Sequence, residues 1–506
     1  MGQSRTLRWK STLAALAAVW MTALAGPAPS AAAADEPTAP AAAPVVNPLS
    51  PTAGQFQLTD TSYAAATDSL LKNHLGKPVG LGDVISTNFT TNSAGRTDGW
   101  LNLRQMGACA GTETAGLPPA DVAKKTAWCW SSAYADDTTE HWYPQGLSTT
   151  GTADGGDGAI QGQSVAAVSW HYKAYGDETS AGCKTDNLLK LTFIDRTTRK
   201  YRHVLLAEPT STSATASDFT FVKGHGGGIA WYANYIYVTD TAHGIRVFDI
   251  NKLAKVDTYG SDVSTVGISN GKSSACGYPY VLPEVHRYFQ AKAAPSCAAT
   301  GPIDAQSLCF SWLSLDKTGG GSTFKLVTGE WYGQASGARV VRYQLNPASA
   351  ATGPGLLKTS GGRTVVQDAF TADGYRGLQG GMTWTDDQGA LNFAFSKGCG
   401  TKPAVFSHTW TGDTRPVTTC GSGDARTGNW GAGSPQALSY WPVLGTTRVD
   451  ELWGLTEGIC RPKGHPHFTA GADDTGVCTD RTATTITSLR TVFAVGFTDS
   501  QVQNRH

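Results

Sequence analysis

Two sets of five residues stand at equivalent places in a repeated pattern of short apolar runs. One set is rich in amides: Gln145, Gln306, Gln379 and Gln436, with His225 in the remaining copy. The other is ionisable: His171, Asp240, Glu330, Lys397 and Glu457. Carboxamides donate and accept hydrogen bonds at once, so they can hold water, sugar hydroxyls or, through their oxygens, a cation. Carboxyl pairs hydrolyse glycosidic bonds when their surroundings protonate one and ionise the other. Asp240, Glu330 and Glu457 are the carboxyls available for that chemistry, and a lysine such as Lys397 keeps a nearby carboxylate ionised. The same positions have plainer uses. Amides satisfy backbone groups at inner strand starts, and charges at strand ends form a solvated rim.

Histidines offer a rival chemistry. His171, His203, His225 and His243 are grouped in the first two copies, with Tyr172, Tyr232 and Arg202 beside them. A histidine or tyrosine base with an arginine that neutralises a uronate carboxylate is the equipment of an elimination reaction. No H-E-x-x-H and no C-x-x-C occurs, so spacing signals no metal site. His465 and His467, in GHPHF, belong to a loop bounded by Cys460 and Cys478 and mark a possible binding edge. Gly226, Gly227 and Gly228 lack the Lys-Ser/Thr ending of a phosphate loop, and close backbone packing explains them better. The residue types therefore leave binding, hydrolysis and elimination all open.

The elements that carry these residues are short strands. Gly224 to Ile250 reads as three of them, with turns at Ala233-Asn234 and Ala242-His243. Alternation in YIYV and IRVFDI has the period of half-buried strands. The pattern recurs five times. Entry strands are YPQGLST, GHGGGIAW, AQSLCFSW, LQGGMTW and SPQALSYW; second strands are SVAAVSW, YIYVTD, FKLVTGE, LNFAFSK and ELWGLTE; third strands are LLKLTFID, GIRVFDI, ARVVRYQL, PAVFSHTW and RTVFAVGF. Units too small to bury a core alone, repeated in this way, predict an all-β fold, a five-bladed β-propeller over residues 141–506. Both residue sets would then face one mouth of its central channel. The last strand, Thr491 to Phe497, is third in its copy, so a strand from the preceding arm is expected to complete it and remove an exposed edge.

Upstream, residues 55–140 read as an irregular arm with a short helix in Thr61 to Leu75, where Tyr63, Leu70, Leu71 and Leu75 share a face and Gly76 stops it. Residues 35–54 are a Pro- and Ala-rich linker. Arg5, Arg8 and Lys10 precede an apolar run, Leu13 to Ala25, too short to span a bilayer, and residues 1–34 are expected to be a secretory signal. Lys+Arg and Asp+Glu number 40 each, which excludes a strong field for nucleic acid or anionic membranes. Ten cysteines suit an oxidising compartment. Spacing suggests Cys109 with Cys129, Cys399 with Cys420 and Cys460 with Cys478; Cys183, Cys276, Cys297 and Cys309 keep three possible connectivities.

Through GGIAWYANYIYVTDTAHGIRVFDI and SPQALSYW…ELWGLTE, residues 142–497 resemble secreted actinobacterial β-propeller proteins of unassigned activity. That resemblance implies fold and export and no mechanism. A count of five blades also resembles furanosidase-type glycoside hydrolases, whose acidic entry motifs are absent here. Propeller polysaccharide lyases are similar in using His, Tyr and Arg. The expectation is a secreted, monomeric protein that binds an extracellular glycan or cell-wall polymer at the channel mouth, without cofactor, membrane span or nucleic acid. The alternatives are a carbohydrate-active enzyme at the same mouth, or an interaction scaffold. A cation in the channel is compatible with the amides.

Overall fold

The computed structural model describes residues 45–52, 54–96, 101–109, 126–153, 158–175, 182–260, 264–294, 297, 305–318, 324–331, 337–373, 377–385, 391–399, 402–410, 435–441, 450–468 and 485–497. The expected signal, most of the linker, Cys420 and Cys478 lie outside them.

The fold is all-β, with few and short helices. In each repeat, β-branched and aromatic residues at alternate positions form antiparallel ladders. The first repeat orders Trp142–Thr149, Val165–Tyr172, Leu189–Asp195 and Lys200–Pro209. The second orders Ile229–Tyr232, Tyr235–Asp240, Gly244–Asp249 and Tyr280–Gln290. These two join at their outer edges, where Val281 pairs in parallel with Leu205. The third runs Trp312–Asp316, Lys325–Gly329, Ala338–Gln344 and Val366–Asp373. The fourth shows Leu378–Thr385, Leu391–Cys399 and Lys402–Trp410, and the fifth Pro435–Trp441, Asp450–Thr456 and Thr491–Phe497.

First strands meet first strands. That of the first repeat touches those of the second and the fifth, the second touches the third, the third the fourth, and the fourth the fifth. Apolar faces are buried between neighbouring repeats. Val165, Phe193, Ile229 and Trp231 pack between the first and second, Tyr237, Val247, Leu313 and Val341 between the second and third. Trp312, Phe393 and Phe395 fill the gap between third and fourth, and Trp170, Trp441 and Trp453 that between first and fifth. The glycines of the second repeat make this approach possible. A Cβ on Gly228 would stand 2.1 Å from the Leu313 nitrogen, and one on Gly227 2.2 Å from the Ser311 oxygen. They are packing glycines, not a phosphate loop.

The arm is more regular than its composition implies. Thr126–Cys129 pairs with Thr491–Phe497 and Gly107–Ala108 lies outside it, so the arm does supply the missing fourth strand of the fifth repeat. Val45–Leu49, inside the expected linker, is a strand that borders Val366–Asp373, while in the arm Leu58–Ser62 borders Tyr280–Gln290 and Arg104–Gln105 borders Lys200–Pro209. A helix, Ala64–Leu70, continues as a π turn, Leu71–Leu75, and stops at Gly76, whose φ of 74° suits glycine. Tyr63, Leu70, Leu71 and Leu75 are all buried. Cys109 bonds Cys129, and the four open cysteines resolve as Cys183–Cys276 and Cys297–Cys309. Cys460 is also disulfide-bonded.

Two strands start later than their sequence suggests, that of the second repeat at Ile229 rather than Gly224 and that of the third at Trp312. The entry strand of the third repeat is Trp312–Asp316, whose ladder begins at Trp312 opposite Gly329, rather than the run from Ala305 to Trp312. Residues 305–310 are held instead by side chains. Arg339 donates to the Ala305 and Ser307 carbonyls, and Glu330 accepts from the Cys309 amide.

Candidate functional site

A β-bulge adds a residue to one strand and re-aims the side chain there. Three first strands carry one at the same place. The ladder shifts between Pro144 and Leu147, between Leu378 and Gly380, and between Pro435 and Leu438. The residues in these irregularities include Gln145, Gln379 and Gln436. A repeated Pro/Leu-Gln-Gly/Ala tripeptide is their signature in the sequence.

A cleft of about 640 Å³ opens at this end of the first strands. Gln145, His225, Gly227, Ser311 and Gln379 line it, from four different repeats. The second hairpin of the second repeat adds Asp240, Thr241, Ala242, His243 and Arg246. Asp186, Asn187 and Lys223 come from loops of the first repeat, and Trp331 follows the second strand of the third. Its walls thus mix amides, both signs of charge and one half-exposed indole.

Asp240 is buried on this wall and already engaged. Its carboxylate meets His243 Nδ1 at 2.7 Å and Arg246 Nε at 3.1 Å. Arg246 turns its Nη1 to Glu208 and Glu284, each at 2.9 Å, and Glu284 also accepts from Arg287 at 2.6 Å. The network fixes Arg246 and His243 at the cleft wall.

His225 lies against His171, with ring centroids 4.2 Å apart and planes tilted by 46°. His171 is buried; desolvation first, and His225 second, hold its pKa well below the usual histidine range, and its Nδ1 has no hydrogen-bond partner. His225 is open to the cleft while protein surrounds the rest of its ring. Desolvation lowers its pKa to about 4, and water reaching the open side tempers that shift without reversing it. Both rings are neutral at pH 7, so each offers a donor and an acceptor rather than a charge.

Glu457 lies behind Gln145. Burial raises its carboxyl to about 7, against the opposing pull of the Gln145 hydrogen bond and the Arg490 charge. Gln145 Nε2 donates to Glu457 Oε2. Gln436 is 1% exposed and leans on the same carboxylate, although its Nε2 makes no hydrogen bond of good geometry. Neither Glu457 nor Gln436 lines the cleft.

The remaining candidates disperse. Glu330 is 1% exposed and accepts from Arg339 Nε at 2.7 Å and Nη2 at 2.6 Å, a buried pair that organises the third repeat. Gln306 precedes its strand and is exposed. Lys397 pairs through its backbone with Leu378, beside Gln379; its side chain lies outside the described atoms. Arg202 sits on a fourth strand and donates to the carbonyls of Val84, Leu101 and Thr87, so it ties the arm down and does not join His171 and His225. His203 is buried between Thr192 and Asp136.

Sequence reasoning missed Arg246, Asn187 and Trp331. Arg246 had a signal: a charge inside GIRVFDI, between two buried apolar residues, needs partners. Asn187 adopts φ 63°, a conformation asparagine tolerates, which a strand pattern does not reveal.

Among the described residues, no helix is long and apolar enough to cross a membrane. No family model matches the chain, and a search of curated proteins finds no significant match.

Proposed function

We propose that the five repeats are the blades of a β-propeller, and that the protein is secreted and binds an extracellular glycan or cell-wall polymer in the cleft at the starts of the first strands. The cyclic succession of first-strand contacts supports the propeller reading. One observation carries the binding reading. The cleft presents Gln145, Gln379, Asn187, neutral His225 and the Trp331 indole, while its buried carboxylate, Asp240, is committed to Arg246 and His243. Amides and an aromatic face suit sugar hydroxyls and sugar rings. Glu330, which serves Arg339, and Glu457, which lies behind Gln145, do not line this cleft, and the two carboxylates that do are already engaged, Asp186 by the Ala174 amide and Asn187, Asp240 by Arg246 and His243.

The test is a glycan array on the full chain, then calorimetric titration of any hit against Trp331→Ala. The variant should bind about 5- to 100-fold more weakly. Unchanged affinity, or no glycan bound, overturns the reading.

Hydrolysis is the second reading, on Glu457 alone, and it requires Gln145, which covers that carboxyl, to move aside for substrate. A carboxyl held to about 7 by burial is the state of a general acid. Product analysis of the same glycan after incubation decides it.

A further inference from the structure

We propose that Glu140, His465 and His467 bind a divalent metal ion of the zinc type. This site is distinct from the cleft and does not rest on the glycan reading.

Glu140 precedes the first strand of the first repeat, and the two histidines belong to the loop after Ile459–Cys460. They are more than 300 positions apart in the chain, as the 327-residue separation of Glu140 and His467 shows. The fold brings one ligand atom from each within 4.8 Å of the others. His467 Nδ1 stands 3.3 Å from Glu140 Oε1, and His465 Nε2 stands 3.5 Å from Oε2. Charge-assisted hydrogen bonds close to about 2.7–2.9 Å. Two donors on a tetrahedral zinc, each about 2.0–2.1 Å from the ion, lie about 3.3–3.4 Å apart. The observed separations are longer than the first case and close to the second, with each histidine facing a different oxygen of Glu140, so an ion between the rings would meet the carboxylate through either or both oxygens. Two imidazoles and a carboxylate are a familiar zinc donor set, and three protein ligands leave a fourth position for water.

The supporting shell is built independently of any ion. Arg461 donates Nε to Glu140 Oε1 at 2.7 Å, leaving Oε2 toward His465. Its Nη2 donates to the hydroxyls of Tyr143, at 2.5 Å, and Tyr175, at 2.7 Å. The Tyr175 ring stacks on His467 at 3.8 Å, nearly parallel at 5°. A hydrogen-bonded carboxylate and a stacked imidazole are oriented ligands, which is what outer partners supply in metal sites. Two features work against the ion. The Arg461 guanidinium repels it, and binding through His465 Nε2 moves that ring's proton to Nδ1, giving up the 3.2 Å contact from the His467 amide. Both weaken the site relative to one built without them.

The experiment titrates zinc chloride into the full chain after chelator treatment, by calorimetry, with His465→Ala and His467→Ala in parallel. One ion per chain is expected, bound at least tenfold more weakly by each variant. Melting of the variants in chelator should match the unaltered chain. Cobalt(II) added to the unaltered chain reads coordination without any variant, so a misfolded variant leaves the question decidable. An intense four- or five-coordinate spectrum supports the site. A weak six-coordinate spectrum, substoichiometric zinc, or equal affinity in well-folded variants overturns it.

Discussion

Gln145 Nε2 donates to Oε2 of Glu457, joining the first strand of the first repeat to the end of the second strand of the fifth. The bond crosses the seam at which the earliest repeat meets the last. Glu457 is consequently a seam residue, partly buried there beside a fully buried Arg490 whose pKa desolvation lowers to about 10.

That burial predicts a pH dependence. Glu457 titrates near 4.5 unfolded and near 7 folded. Between those values the folded state holds more protons, so stability falls as pH rises from about 4.5 to about 7 and stays low above it. The upper bound is about 3 kcal/mol. Glu457→Gln keeps the shape and cannot ionise. It should melt higher than the unaltered chain at about pH 8 and similarly at about pH 4.5. Melting curves at the two values check this; an unchanged difference between them would place the titration elsewhere.

Glu330 has the opposite character. Its partner Arg339 is also buried, and the pair orders residues 305–309. Glu330→Ala leaves the buried Arg339 guanidinium without its counter-charge and removes the acceptor of two amides, those of Cys309 and Arg339, and the expected loss is about 3–5 kcal/mol. Chemical denaturation measures it. A loss below about 1 kcal/mol would show that water replaces the carboxylate.

Strand identity was legible in the sequence because short runs such as YIYVTD and LLKLTFID carry strand-forming residues between turns, although these strands are buried on both faces rather than half-buried, because repeats pack on either side. The strand from the arm was legible as a missing edge partner. Register was less so. SLCFSW has the apolar content of a strand, yet its residues before Trp312 are held by Glu330 and Arg339, contacts that no local pattern encodes. The site was half legible for the same reason. Gln145 and Gln379 recur in a local tripeptide, whereas Arg246 reaches the cleft through partners on other strands, Glu208 and Glu284.

Gly228 tests the close approach of the second and third repeats. A methyl group there collides with Leu313 backbone and Trp312 backbone, neither of which can swing aside. Gly228→Ala should lower stability by about 1–3 kcal/mol, against almost nothing for Gly271→Ala beyond its own φ strain, where nothing lies within 4 Å. Thermal melts of both variants separate packing from backbone strain.

The two disulfides that the spacing left open should differ in value. Cys183–Cys276 spans 93 residues and Cys297–Cys309 spans 12. Chain entropy alone assigns about 4–5 kcal/mol to the first and about 3 kcal/mol to the second. Paired Cys→Ala replacement of each, followed by denaturation, should show the larger loss for the longer loop. The reverse order would mean that native contacts of the Cys297 segment, which touches the Thr241 carbonyl, outweigh loop entropy.

Gln379 and Gln436 share a tripeptide and a bulge, and the structure gives them different surroundings. Gln379 is half-exposed on the cleft wall. Gln436 is buried against Glu457 and absent from that wall. Gln379→Ala should therefore weaken a bound glycan by about 1–3 kcal/mol and leave the melting temperature unmoved. Gln436→Ala should do the reverse: it empties volume at the seam and removes a group that favours the Glu457 anion, costing about 1–2 kcal/mol of stability with affinity unchanged. Its Nε2 makes no good hydrogen bond, so no partner is stranded and the loss stays at that level. Calorimetric titration and melting of both variants give four readings. If Gln436→Ala weakened the ligand as much as Gln379→Ala, the ligand would have to reach the fifth repeat, and the binding surface would extend over Gln145 to Glu457.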